Sequence, residues 1–256
     1  MENILSVQNL TLCFGGLVAV NNVSFDVRSR TIHSLIGPNG AGKTTIISMI
    51  NGTLPVPEGK VFFNGEDVTG KPTHILTQKG MARTFQNIKL FNSLTVEENL
   101  LLGADRIYEN NNFVKFLFTP ARQKMLEKKA MGAVEDVMRR LNLMEFRKEP
   151  VGRLAYGHKK IVELARAVMT DPKLILLDEP AAGLNPSERH EFIDIIKEIF
   201  ISGIDLFIIE HNMDVVMNLS DRITVINFGE KIADGTPEEI RNNEMVISAY
   251  LGDRFK

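Results

Sequence analysis

The chain has 256 residues, 44% of them hydrophobic and 24% charged, enough to bury a real core as one large domain or a domain carrying a substantial subdomain. Thirty Lys and Arg nearly balance 32 Asp and Glu, so no field of one sign draws it to nucleic acid or to an anionic membrane surface. No nucleic-acid partner is expected.

The first 14 residues lack the basic segment, apolar run and small-residue cleavage site of a signal peptide. From Leu5 to Val27 apolar and β-branched residues alternate with polar ones, broken at Gly15-Gly16 and at Asn21-Asn22, which predicts antiparallel strands. Cys13, the one cysteine, has no partner for an internal disulfide. Its apolar surroundings predict a small buried hydrophobe, and a reducing cytoplasm fits.

Thr31 to Ile36 reads as a short buried strand that runs into GPNGAGKTT and then the apolar segment Ile46 to Ile50. The order is strand, glycine-rich loop, helix. Gly37, Pro38, Asn39, Gly40, Ala41, Gly42, Lys43 and Thr44 fit G-x-x-x-x-G-K-[ST], with Thr45 following. Glycines there let successive backbone N–H groups curl around phosphate oxygens at a helix N-terminus. Lys43 is expected to reach the terminal phosphates, and the Thr44 hydroxyl to join the oxygen shell of Mg²⁺.

Thr95 to about Leu141 is poor in strand signals, and Leu126, Ala130, Ala133, Val137 and Leu141 recur at helical spacing. A helical subdomain over about 95–170, inserted into a core made of about 1–94 and 171–256, is the expected organisation. Within it Asn110-Asn111-Asn112 predicts a loop, and Phe113, Phe116 and Phe118 a short amphipathic piece packed on the helix that follows.

The second half alternates strand Leu174 to Leu177, helix Ser187 to Phe200, strand Ile204 to Ile209, helix Met213 to Leu219 and strand Ile223 to Asn227. Such alternation predicts an α/β fold with a mainly parallel sheet. No apolar run approaches the roughly 20 residues of a membrane span, so any membrane role is borrowed from a partner. The first of these strands ends in Asp178-Glu179. Neighbouring side chains on a strand point in different directions, so the two acids take different tasks. Asp178 is placed to hold the Mg²⁺ hydration shell, and Glu179 to orient or deprotonate an attacking water. At the end of the chain, 228–231 and 233–236 read as hairpin and turn, and Pro237-Glu238-Glu239 as a helix start.

Beyond the loop, a set of residues across the whole chain resembles the ATPase subunits of ABC transporters. Gln86, in ARTFQNIKLF, looks like the glutamine that touches the Mg²⁺ and water region and adjoins the docking site of the membrane subunit. His211, in FIIEHNMD, looks like the switch histidine on the γ-phosphate, and Phe14, in LTLCFGG, like the aromatic that stacks on adenine. The resemblance also puts Val20 and Thr45 among the nucleotide-binding residues. The family's second signature, usually LSGGQ, stands here as Leu154-Ala155-Tyr156-Gly157-His158. In the family this segment covers the nucleotide held by the other subunit. Ala155 removes the serine hydroxyl, while N–H donors and a positive helix end remain. Asn185, in Ala181-Ala182-Gly183-Leu184-Asn185-Pro186, replaces the usual aspartate of the loop that faces the subunit boundary.

DEPAAGLNP, the L-A-Y-G form of the signature and the C-terminal AYLG together are similar to the ATP-binding subunits of branched-chain amino acid importers. That resemblance implies ATP and Mg²⁺ as cofactors, a second ATPase subunit in a head-to-tail dimer, transmembrane permease subunits, and a solute-binding protein met only indirectly. It also implies a peripheral place on the cytoplasmic face of a prokaryotic membrane. An importer for a different small solute stays open, as does a regulator that uses ATP occupancy without turnover. A non-transport ABC ATPase is a third alternative, although one cradle, one signature and no cysteine pairs speak against it.

Overall fold

The computed structural model describes residues 2–84, 88–109 and 120–251. Gln86 and the segment 110–118, with its three asparagines and three phenylalanines, lie outside the described residues. The chain opens with a long hairpin, β1 (Asn3–Phe14) and β2 (Leu17–Arg28). β3 (Ile32–Ile36) leads into α1 (Lys43–Ile50). β4 (Glu58–Phe63) and β5 (Glu66–Asp67) return to the hairpin, giving an antiparallel sheet in the order β2-β1-β4-β5. α2 (Thr73–Lys79) and β6 (Met81–Arg83) follow.

Among the described residues, the helices α3 (Val96–Leu101), α4 (Asp105–Glu109), α5 (Pro120–Arg140) and α6 (Tyr156–Val168) come next. The chain then alternates through β7 (Leu174–Asp178), α7 (Pro186–Ile201), β8 (Asp205–Ile209), α8 (Met213–Leu219) and β9 (Arg222–Asn227). It closes with β10 (Glu230–Gly235), α9 (Pro237–Arg241) and α10 (Glu244–Leu251). The second sheet runs β10-β9-β3-β8-β7-β6, parallel throughout except for the β9–β10 hairpin at its edge. The predicted α/β fold with a mainly parallel sheet and an antiparallel β part is therefore the fold observed.

A parallel sheet is covered on both faces, and β7 shows how. Leu174 and Leu176 point to one side, where α1 lies between the two sheets with Ile46, Ile47 and Ile50 fully buried. Ile175 and Leu177 point to the other, into a cluster shared with Ile161 and Val162 of α6 and Ile196 of α7. That cluster continues through Val96 and Leu100 to Ala130, Val134 and Val137. Of the predicted stripe, Ala130, Val137 and Leu141 are buried there together with Val134 and Met138, Ala133 is only half-buried, and Leu126 is buried apart from this cluster.

Two expectations are corrected. Asn21-Asn22 does not break the hairpin: β2 runs through it, with Asn22 in the left-handed region at φ 50° and the register to β1 shifting nearby. Asparagine tolerates that conformation inside a strand irregularity as readily as in a turn. Cys13 is exposed rather than buried. Its neighbour Leu12 takes the core face of β1, so alternation sends Cys13 outward. No helix among the described residues is long and apolar enough to cross a membrane.

Candidate functional site

The glycine-rich loop leaves the carboxyl end of β3 and is gripped from both sides. A Cβ at Gly42, whose φ is 103°, would stand 2.5 Å from the Ala19 carbonyl oxygen, so no other residue fits without moving β2. On the opposite side a Cβ at Gly37 would meet the Ile226 carbonyl oxygen at 2.1 Å. Gly229 N–H donates to the Ala41 carbonyl at 3.0 Å, and Asn21 N–H to the Gly229 carbonyl at 2.8 Å, which joins loop, β2 and the β9–β10 turn. Gly42 is the N-cap of α1 and has no side chain to occupy the helix's first N–H groups. Lys43 Nζ donates to the carbonyls of Gly37 and Pro38 at 2.7 and 2.9 Å. Burial pushes the Lys43 ammonium below the usual lysine range, while the charges of Glu179 and Asp178 pull the other way.

A cavity of about 690 Å³ lies over the loop, within the range of small-molecule sites. Residues 39–45 form its floor, Glu179 one wall, and Phe14, Leu17, Val18 and Phe228 an apolar rim. Half-exposed Phe14 and Val18, and the more exposed Leu17 and Phe228, suit the flat face of a ring system. Val20, expected at the ligand, is instead fully buried beneath the loop, and Val18 takes the rim position. A cleft of about 790 Å³ bounded by Arg28, Arg222 and Asp234 lies apart from every motif residue.

β7 delivers the two carboxylates as predicted. Asp178 is buried, and its Oδ2 accepts from Arg83 Nη2 at 2.7 Å. Glu179 turns out of the strand with φ 48°, a conformation that costs a non-glycine residue about 1–3 kcal/mol and that clusters at functional sites. Its N–H donates to the Ile209 carbonyl at 2.8 Å, which fixes the turn to β8. His211, at the end of β8, has Nδ1 3.7 Å from Glu179 Oε1, so the two predicted residues face each other.

Sequence reasoning missed two charged residues that hold this arrangement. One is Arg83. The other is Glu210, fully buried, whose Oε1 accepts from Ala181 N–H at 3.0 Å and whose Oε2 accepts from His211 and Asn212 N–H at 2.8 and 3.0 Å. Glu210 thereby ties the loop after Glu179 to the loop of His211. The available signal was an acid ending the apolar strand LFII, a pattern shared with Asp178.

Leu154 is buried, while Ala155 and Tyr156 are exposed at the start of α6. Ala155 is the N-cap and supplies no side-chain hydrogen bond, so it leaves first-turn N–H groups uncapped. Gly157 packs against Glu188, Tyr156 against Gly183, and the His158 ring lies 4.3 Å from that of Phe146. Farther along α6, Glu163 Oε1 accepts from Lys89 N–H at 3.2 Å. Asn185 is the N-cap of α7, in a reciprocal box with Glu188. Among the described residues, none of 154–158 lines the cavity over the loop.

Residues 20–182 match the ABC transporter family, and 230–256 match the branched-chain amino acid ATP-binding cassette transporter family. The high-affinity branched-chain amino acid transport ATP-binding protein BraF of Pseudomonas aeruginosa is 44% identical over 98% of both chains. The protein LivG of Escherichia coli K12, described in the same words, is 41% identical over 98% of this chain and 99% of its own. Among solved structures, the ADP conformation of MJ1267, an ATP-binding cassette of an ABC transporter, superposes with a TM-score of 0.84 at 35% identity, covering 98% of this chain and all of that one. The glycine-rich loop, the strand-end carboxylates and these matches along nearly the whole length place the chain in the ABC transporter family, on the branch of the branched-chain amino acid transport ATP-binding proteins.

Proposed function

We propose that the chain binds ATP at the 37–45 loop and hydrolyses it with Glu179, and that this drives import of branched-chain amino acids through permease subunits it docks beneath. The observation that carries this reading is the convergence on one cavity of the loop, Lys43, Thr44 and Glu179, with Asp178 at the adjoining strand end. The uncapped N–H groups of α1 and the Lys43 ammonium bind the phosphates. Phe14 and Val18 offer an apolar face to the base. Glu179 orients a water and takes its proton as the γ-phosphoryl group passes to the water oxygen, giving ADP and phosphate; His211 holds the phosphoryl oxygens.

Thr44 and Asp178 are hard oxygen donors. They are too few for an all-protein cage, which suits Mg²⁺, an ion that keeps several waters and shares phosphate oxygens. Bound there, Mg²⁺ supplies charge neutralisation across the phosphates.

The exposed, uncapped start of α6 and its separation from the cavity support a site completed by a second ATPase subunit. Leu154, Ala155, Tyr156 and Gly157 of one subunit then cover the nucleotide on the other, and Asn185 lies at the boundary. Such reciprocal contacts generate a head-to-tail dimer with a two-fold axis. In this reading residues about 95–170 act as a helical subdomain that carries the signature. Together with Gln86, which also reaches the Mg²⁺ and water region, it faces the permease. The chain sits peripherally on the cytoplasmic side and meets a solute-binding protein only through the permease.

The test is uptake by proteoliposomes holding the chain with its permease and binding protein. Leucine, isoleucine and valine uptake should require ATP and should vanish with Glu179→Gln. Undiminished uptake in that variant contradicts the catalytic assignment. ATP-driven uptake of some other solute alone contradicts the substrate.

A further inference from the structure

Arg83 closes β6, and the parallel pairing of β6 with β7 sets it opposite Leu176, two residues before Asp178. Its Nη2 lies 2.7 Å from Asp178 Oδ2, with the two side chains only 7% and 5% exposed. The same guanidinium reaches Ser48 Oγ on α1 through Nη1 at 3.4 Å. One planar group therefore ties the strand that delivers Asp178 to the helix that begins with Lys43 and Thr44.

A buried pair of this kind is a weak source of stability, because desolvating both charges offsets much of their attraction. What the rigid guanidinium fork supplies is direction. With Oδ2 held by Arg83, Oδ1 of Asp178 has no protein donor among the described residues. Arg83 itself is not among the residues lining the cavity, so it acts through Asp178.

We infer that Arg83 is a positioning residue for the metal of the nucleotide site: it holds the Asp178 carboxylate from behind, so that Oδ1 receives the hydration shell of Mg²⁺. This rests on the ATP and Mg²⁺ reading above. Ligand-orienting partners of this kind change metal affinity more than they change the remaining contacts.

The experiment is binding of a fluorescent N-methylanthraniloyl ATP to the full chain, in EDTA and along a Mg²⁺ series, read without turnover. Arg83→Lys keeps the charge beside Asp178 but loses the fork. It should raise the half-saturating Mg²⁺ concentration about tenfold while leaving affinity in EDTA unchanged. Arg83→Gln should raise it further, and if that variant does not fold, the lysine variant decides. A lysine variant with the wild-type Mg²⁺ requirement overturns the inference. So does equal loss of affinity with and without Mg²⁺, which reports a structural role. Wild-type chain that binds no nucleotide, or binds it without regard to Mg²⁺, overturns the ATP and Mg²⁺ reading itself and is distinguishable from either result.

Discussion

Lys43 and Glu210 are both buried charged side chains, yet they are held in opposite ways. Lys43 is paired with two carbonyl oxygens of its own loop and is pushed by burial toward its neutral form, so a phosphate that enters the loop relieves an unfavourable environment. Lys43→Ala should therefore weaken nucleotide binding itself, seen as a rise in Kd for ATP in equilibrium binding, with the fold retained by circular dichroism. Glu210 accepts three backbone N–H bonds from two loops, which only a carboxylate can satisfy without presenting a donor to a donor. Glu210→Gln should lower kcat at least tenfold by freeing the loops of Glu179 and His211, and should cost about 1–3 kcal/mol in chemical denaturation. Wild-type kcat in that variant would show that the two loops need no common tie. Lys43, Thr44, Asp178 and Glu179 were legible in the sequence because each motif is local and its chemistry follows from spacing. Arg83 and Glu210 were not, since Asp178 lies 95 residues from Arg83 and Ala181 lies 29 residues from Glu210, and only the sheet brings each pair together.

At the scale of elements, the helix starts were well marked. Pro237 stands at the first turn of α9 behind a Thr236 cap, and Pro186 does the same for α7 behind Asn185. Strand irregularities were not marked, because asparagine serves turns and strand irregularities alike, as at Asn22. The buried strand β3 carries a further consequence. His33 is fully buried, its Nε2 2.9 Å from Thr224 Oγ1, with the Phe25 and Phe207 rings alongside. Burial pulls its pKa down to about 4, against the opposing pull of Asp234. The unfolded chain binds a proton at this residue below about pH 6.5 and the folded chain does not until about pH 4, so stability is full above 6.5 and falls between those values. The loss should approach on the order of 3 kcal/mol. Urea titrations from pH 7.5 to 4.5 should show it, and His33→Gln should flatten the slope over that window. An unchanged slope in the variant would place the acid sensitivity elsewhere.

Across the whole molecule, alternation of strands and helices predicted a mainly parallel sheet, and that is the architecture found. Strand order was beyond sequence patterning. β3 lies between β9 and β8, far from its neighbours in the chain, and the antiparallel sheet recruits β4 across the intervening α1. This topology places the loop after β3 beside the ends of β7 and β8, so the loop and Glu179, far apart in the chain, line one cavity. The start of α6 is outside that cavity, which is why the proposed reading completes the site with a second subunit. In the proposed dimer, ATP binding acts on the equilibrium between separate and closed subunits only through contacts made in the closed state.

The most direct test is the mass of Glu179→Gln by size-exclusion chromatography with light scattering, with and without Mg²⁺ and ATP. The account predicts a monomer that becomes a dimer carrying two nucleotides when Mg²⁺ and ATP are present. A variant that elutes with bound ATP and remains a monomer would contradict the shared site.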